Sequence, residues 1–504
     1  MKIKQILTLA AAVLIVTSLA ITGCSQLSSQ SGEQPLANGF EAGTHLTIEY
    51  EADYPTKQTL EQMHEELFFQ SAVQVALWGQ PIVAVGTAKE GMEKAGIYNT
   101  TISIAEQRAS SKNVIYTANQ ETVYAYGFTE IGDEPMVFMI APNTLGFMAD
   151  AWQRPIEDLG ITGPDAGKGG KYIMVPPGYK GKMPKAGDGV YVFQSPTKTV
   201  FWLQRAFVKG DQTEEDAVNI LKKNSKIYPL SKEGAAYKHH FVNQSKTPFY
   251  AVTKNDGMDY WYMLDKMIQL EPVQERDLAI MGLAKTMGIQ KGKKFVPTAD
   301  QQKVLVRAVK TAKAMMEAIG FGTRKNIKTW KGLEWEPAFQ TQSPYFDGTG
   351  HTEVHERAAF TYQAMTGAKS MVAKMVGKGS QYQIATKDSA GEYFNGANIY
   401  KLTIPPNVPV NNYWSICIYD TETRSLIENG TARSSTGSHL EIEKKADGSV
   451  DLFFGPAKPD GVKETNFVLT KPGQGWFAYF RFYGPEQAYF DKTWKPNDFV
   501  KVGE

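Results

Sequence analysis

The chain has 504 residues, with 54 basic against 53 acidic side chains, and this balance leaves no bulk charge to hold a polyanion, so nucleic acid is not a partner. Hydrophobic residues make up 42% and charged residues 21%, enough to bury real cores and to exclude wholesale disorder. This length predicts two or three domains, and 12% aromatic residues with 45 glycines and 25 prolines bias the chain toward strands joined by tight turns.

Lys2 and Lys4 precede an uncharged apolar run from Ile6 to Ile21, the plan of an export signal. The run ends Ile21-Thr22-Gly23-Cys24, which resembles a bacterial lipoprotein cleavage box, so residues 1–23 read as a signal peptide and Cys24 as the lipidated residue. The stretch is short for a membrane span of ~20 residues. Buried acyl methylenes, at about 0.8 kcal/mol each, would hold such a chain at a bilayer without a basic patch. Ser25 after the cysteine resembles lipoproteins sent to the outer membrane, which in a Gram-negative cell places the protein in the envelope facing the periplasm. Residues 24–55, small and polar at their start, read as a tether. With Cys24 lipidated, Cys417 has no disulfide partner, and inside its strand-like run it reads as a small buried thiol.

A helix is predicted next, capped at Thr59, with Leu60, Leu67, Phe68, Val75 and Trp78 near the helical period and Gly79 and Pro81 as its end. From Asn113 to Val208 short aromatic and β-branched runs follow at 114–116, 122–128, 136–140, 172–175, 190–193 and 199–207, separated by glycine and proline turns. That cadence predicts a β-sandwich and argues against a doubly wound nucleotide-binding sheet. Helices are predicted at 214–224, 259–269, 274–287 and 299–319, the last with Thr298 and Gln301 as a capping box. A helix at 356–376 leads into a second β segment with strands at 399–404, 413–419, 450–454 and 476–483. In the last of these both faces are apolar except for Arg481, as in an inner strand of a sandwich. The expected fold is mainly β with α: an N-terminal helix plus sandwich over 56–225, a helical subdomain over 226–345, and a C-terminal helix plus sandwich over 346–504.

Thr117-Ala118-Asn119-Gln120-Glu121-Thr122-Val123-Tyr124, Asn143-Thr144-Leu145-Gly146, Asp150-Ala151-Trp152, Gly163-Pro164-Asp165 and Ser195-Pro196-Thr197 resemble an exported family catalogued as unknown-function domain twelve-fifty-four. Gly379-Ser380-Gln381-Tyr382, Tyr413-Trp414-Ser415, Tyr419 to Arg424, Asp447-Gly448-Ser449 and Asp491 to Pro496 resemble its usual companion, domain twelve-fourteen. The resemblance implies an N-terminal β-sandwich, a small helical domain and a jelly-roll-like C-terminal sandwich, and it implies no settled biochemical role. Asn119-Gln120-Glu121 departs from the relatives' pattern, so no carboxylate role carries over to that loop.

Candidate chemistry is sparse. His351 and His355 stand four apart, a zinc spacing on a helix, but Glu353 occupies the wrong slot for a metalloprotease and the glycines upstream favour a loop, so no metal and no cofactor is predicted. Gly163 to Lys171 lacks the order of a phosphate loop and reads as a hairpin connection. Asp150, Asp420 and Glu422 are candidate catalytic carboxylates, with Trp152, Arg154 and Arg424 as candidate ligand-binding groups; in the competing structural reading Asp420 to Arg424 is a turn whose carboxylates cap amides and pair with Arg424. Trp414, Trp476 and Trp494 read as core indoles. A cleft, if present, is expected between the two β domains.

The expectation is a lipid-anchored envelope protein that binds an extracytoplasmic small molecule or glycan, or supports an envelope complex, with homo-oligomerisation open. A hydrolase that uses paired carboxylates is the alternative and requires Asp150 to lie within about 5 to 10 Å of Asp420 or Glu422. A structural assembly component is the second alternative and requires a large exposed apolar patch.

Overall fold

A helix of 38 residues, α1 (Lys57–Lys94), forms the axis around which the other elements pack. The computed structural model describes residues 48–208, 212–235, 239–322, 327–341, 343–365 and 367–503, so the stretch read from the sequence as a signal peptide, Cys24 and most of the expected tether lie outside the described residues. Thr56, rather than Thr59, caps α1, its hydroxyl accepting the Thr59 amide at 3.3 Å. The helix also runs on through Gly79 and Pro81, where the sequence predicts its end. Proline in a helix interior removes one ladder bond and costs about 3 kcal/mol. Burial offsets this cost: from Ser71 to Gly86 every residue except Gln74 is buried, whereas the predicted stripe members Leu60 and Leu67 stay exposed. Gln153 Nε2 also donates to the Pro81 carbonyl at 2.9 Å.

The remaining helices are α2 (Glu214–Asn224), α3 (Met258–Leu270), α4 (Leu278–Thr286), α5 (Ala299–Phe321), α6 (Val354–Gln363) and the short α7 (Lys369–Val372). Helices α3 to α6 pack on α1. Gly79 and Gly86 of α1 are contact points rather than stops: a Cβ on Gly79 would meet Leu264 at 3.0 Å, and one on Gly86 would meet Met263 Sδ at 2.6 Å, so their bareness lets α3 lie close. Helix α1 is long and apolar enough to cross a membrane, but most of its apolar stretch is buried inside the protein. The Thr298–Gln301 capping box forms at the start of α5 as predicted, and Leu305, Ala308, Val309, Ala312 and Met316 form its buried stripe, while Met315 faces out.

Two β-sandwiches flank this helical layer, as the sequence pattern predicts. In the first, a six-stranded sheet runs in the order Phe241–Asn243, Ile102–Ile104, Val123–Glu130, Thr199–Ala206, Thr144–Asp150, Pro155–Gly160. A four-stranded sheet, Val190–Gln194, Gly170–Val175, Met136–Ile140, Lys226–Pro229, covers one face. Val123, Ala125, Met148, Val200 and Trp202 point into the core between them, with Phe138, Tyr172 and Met174 opposite. Period-two alternation turns Tyr126, Phe128, Phe147 and Phe201 to the other face, where they join the core around α1. The second sandwich pairs a five-stranded sheet, Glu336–Pro337, Ser380–Ala385, Trp476–Pro485, Val410–Asp420, Ser435–Gly437, with a four-stranded one, Phe467–Leu469, Val450–Gly455, Tyr400–Ile404, Phe499–Lys501. Its core holds Trp335, Trp414, Ile416, Ile418, Trp476 and Phe480, so Trp414 and Trp476 are core indoles; the other face turns Tyr382, Cys417, Tyr419, Phe477 and Tyr479 toward α6 and the first sandwich.

The chain from residue 45 onward is one compact unit, and buried polar ties hold its halves together. One is Asp158 of the six-stranded sheet, whose Oδ2 accepts the Ser370 amide of α7 at 2.9 Å. Burial pushes this carboxyl up to about 6, against the pull of Ser370. A carboxyl whose folded pKa lies above its unfolded value destabilises the fold as pH rises between the two. Relative to Asp158→Asn, the native chain should therefore lose about 2 kcal/mol of stability between pH 4 and 7. Urea unfolding of both proteins across that range measures the difference, and parallel curves would refute it.

Candidate functional site

The outward faces of the two sandwiches meet over a cavity of about 120 Å³. Tyr124, Tyr126, Phe147, Phe201, Leu203 and Arg205 line it from the six-stranded sheet. Tyr382, Tyr479 and Arg481 line it from the five-stranded sheet, and Ala338, Phe339, Phe360, Ala364 and Met371 from the segments around α6 and α7. Cross-strand register puts the chemistry in place. Arg205 stands between Tyr124 and Leu145, and Arg481 stands between Tyr382 and Ser415, so each guanidinium has a tyrosine as a cross-strand neighbour.

Both arginines are buried, at 4% and 5% exposure. The Arg205 guanidinium carbon lies 5.6 Å from the Tyr124 ring centre and 5.8 Å from that of Tyr483. It also donates a hydrogen bond to Tyr382, while its Nε and Nη1 have no partner among the described residues. Arg481 Nη2 donates to the Thr117 carbonyl at 2.8 Å and to the Tyr419 hydroxyl, and its Nε is likewise unpartnered. Burying an unpaired charged donor is costly, and native structures normally avoid it.

The surrounding titratable groups sense these cations. Burial raises the Tyr382 phenol, but Arg205 and Arg481 together outweigh it and hold the group below its ordinary value. Burial likewise penalises the Glu121 carboxylate, yet His439 in its protonated form and Arg481 hold it below its ordinary value, so it is ionised near neutral pH. Burial pushes His439 down, so it is neutral near pH 7. Glu121 also accepts the Cys417 thiol at 3.0 Å, and the thiol, raised first by burial and then by that carboxylate, is no nucleophile. Two buried guanidiniums thus stand near one carboxylate, and among the described residues one positive charge has no fixed counter-ion.

Asp150 ends a strand and accepts the amides of Trp152 and Arg154, both at 2.8 Å, in its own turn. Burial raises its carboxyl despite those bonds. Trp152 packs against Trp78 of α1 with ring centres 4.6 Å apart and the rings tilted by 44°, and Arg154 pairs with Asp347 at 2.6 Å. Asp420 accepts the Thr423 amide at 2.7 Å, and Glu422 is exposed beside Lys313. No hydrogen bond or ion pair joins Asp150 to Asp420 or Glu422 among the described residues, and none of these residues lines the seam cavity. Asp420 to Arg424 is a capped turn, but Arg424 bonds backbone carbonyls, those of Tyr362, Glu422 and Thr253, rather than the carboxylate. His351 lies in the strand His351–Thr352 with its Nε2 2.9 Å from Glu353, and His355 lies in the first turn of α6, so the two do not share a helix face. Among the described residues no three His, Cys, Asp or Glu side chains converge as a metal site would require. The loop at Gly163 to Lys171 is closed by Asp165, which accepts the Gly160 and Gly169 amides.

The sequence places the cleft between the β domains but misses its polar residues. Arg481 carried a signal, as the lone charge in an otherwise apolar strand. Arg205, in Thr199–Ala206, carried the same one.

Residues 98–229 match the family described as "Protein of unknown function (DUF1254)" and residues 379–487 that described as "Protein of unknown function (DUF1214)". No curated protein matches the chain. Among solved structures it resembles the VPA0106 protein from Vibrio parahaemolyticus, at 17% identity and a TM-score of 0.54, over 86% of this chain and 100% of that one. It also matches a putative uncharacterized protein from Burkholderia cenocepacia at 11% identity and a TM-score of 0.40, over 88% of this chain and 96% of that one. The first likeness supports the fold seen here. The chain is thus one of the proteins that pair an N-terminal DUF1254 domain with a C-terminal DUF1214 domain.

Proposed function

We propose that this is a lipid-anchored envelope protein, tethered through Cys24, that holds a small extracytoplasmic molecule in the cavity between its sandwiches. The observation that carries the reading is the cavity itself: an aromatic enclosure lined by buried Arg205 and Arg481, which hold hydrogen-bond donors without partners among the described residues. Fully formed ligand sites combine such apolar walls with a few convergent polar groups. A glycan suits the cavity poorly, because each ring hydroxyl needs a partner and most of the wall is carbon. The anchor rests on the residues Ile21-Thr22-Gly23-Cys24.

Native mass spectrometry of the protein extracted from membranes tests both parts. The expected spectrum shows acyl mass on Cys24, lost in Cys24→Ser, and a noncovalent adduct of one small molecule, lost in Leu203→Phe, which fills the cavity. Absence of the acyl mass removes the anchor. A chain that neither retains nor takes up a small molecule removes the binding function.

A further inference from the structure

The geometry points to a specific ligand class: we infer that the cavity takes a small monocarboxylate with an apolar body, its carboxylate set between Arg205 and Arg481 and its hydrocarbon against the tyrosine and phenylalanine wall. This deepens the binding reading above and rests on it.

Charge comes first. Arg205 and Arg481 are cations at any physiological pH, Glu121 supplies one negative charge, and His439 supplies none, so the seam lacks one anion. Tyr382, which lines the cavity within 5.5 Å of the Arg481 guanidinium carbon and accepts from Arg205, is drawn toward its phenolate form by that deficit. A ligand carboxylate supplies the missing charge.

Donor geometry agrees with this. Arg205 Nε and Nη1 and Arg481 Nε are buried beside the cavity with no partner among the described residues, and neighbouring guanidinium N–H groups match the two oxygens of a carboxylate. Size and polarity then limit the rest of the molecule. An apolar cavity of about 150 Å³ accommodates benzene, so 120 Å³ limits the apolar portion to a short alkyl chain or at most one small ring. Phe147, Phe201, Leu203, Phe339, Phe360 and Met371 offer that portion carbon surface and no hydrogen bonds. Inorganic phosphate would satisfy the arginines but leave this wall uncovered, and a neutral aromatic would do the reverse.

The test is calorimetric titration of the mature chain with benzoate and hexanoate, with benzamide and hexanamide as neutral isosteres, and with inorganic phosphate. One acid of the pair is expected to bind one to one and at least ~10-fold more tightly than its amide, as charge-assisted hydrogen bonds imply. Arg205→Gln should abolish this preference, Arg205→Lys should retain part of it, and Leu203→Phe, which leaves the charges in place, should block both acid and amide. Amides that bind as tightly as the acids overturn the carboxylate inference while leaving a binding cavity, and so does phosphate that binds as tightly as benzoate. Failure of every probe to bind the wild-type chain overturns the inference, and if the membrane-extracted protein also carries no adduct, the binding reading falls with it.

Discussion

Arg424→Met is expected to destabilise the protein by about 4 kcal/mol, read as a lower urea midpoint at pH 7. The side chain is 1% exposed and donates to three carbonyls from three segments: Tyr362 at the end of α6, Thr253 before α3, and Glu422 in its own turn. Its guanidinium carbon also lies 4.2 Å from the Tyr362 ring centre and 5.4 Å from that of Tyr116. Methionine fills much of the volume but leaves three carbonyls unsatisfied, at about 1 to 3 kcal/mol each before relaxation. Arg424→Lys should recover less than half of the loss, because one ammonium cannot reproduce a planar fork aimed in three directions. A variant with native stability would instead return Arg424 to the ligand-binding role that its sequence context suggests.

Arg481→Gln is expected to cost about 3 to 5 kcal/mol, the order of penalty for leaving a buried charge without a nearby opposite charge. The substitution removes the bonds to Thr117 and Tyr419 and strips Glu121 of a neighbouring cation. In the native protein Glu121 has a lowered pKa, so its contribution is present above the unfolded carboxylate range and fades as pH falls through the folded value. In Arg481→Gln burial dominates, the sign reverses, and the variant should weaken further as pH rises above about 5. Adding Glu121→Gln should restore about half of the loss, and a double-mutant cycle by urea unfolding reads that coupling. Additive effects of the two substitutions would show that the groups do not communicate.

Wherever local chemistry decides the outcome, sequence and structure agree. The capping box at Thr298 and Gln301 needs only residues three apart, and the strand Met136–Ile140 is bounded as its β-branched and aromatic run implies. Cys417 is a buried thiol because its strand, from Trp414 to Asp420, is covered on both faces. The sequence misled at α1, where Gly79 and Pro81 carry strong stop signals. Those signals describe an isolated helix, and here the packing of α3 to α6 outweighs the local cost. Thr144–Asp150 and Ser380–Ala385 also went unread as strands, since Gly146 in the first and the glutamines and serine of the second lack strand character until a neighbour pairs with them.

The candidate site divides in the same way. Its location between two β domains follows from architecture, and Arg481 stands out in its strand without any structure. Alternation alone determined that Arg481 shares a strand face with particular neighbours, that the chain builds two sandwiches, and that Trp414 and Trp476 lie in the core of the second. Only the tertiary structure decided that the two arginine-bearing faces look at each other across one cavity and that Asp150 and Asp420 spend their oxygens on their own turns. A period of two states which side chains lie together on a ribbon. It carries no information about what that ribbon's second face meets, because that depends on pairing between segments far apart in the chain.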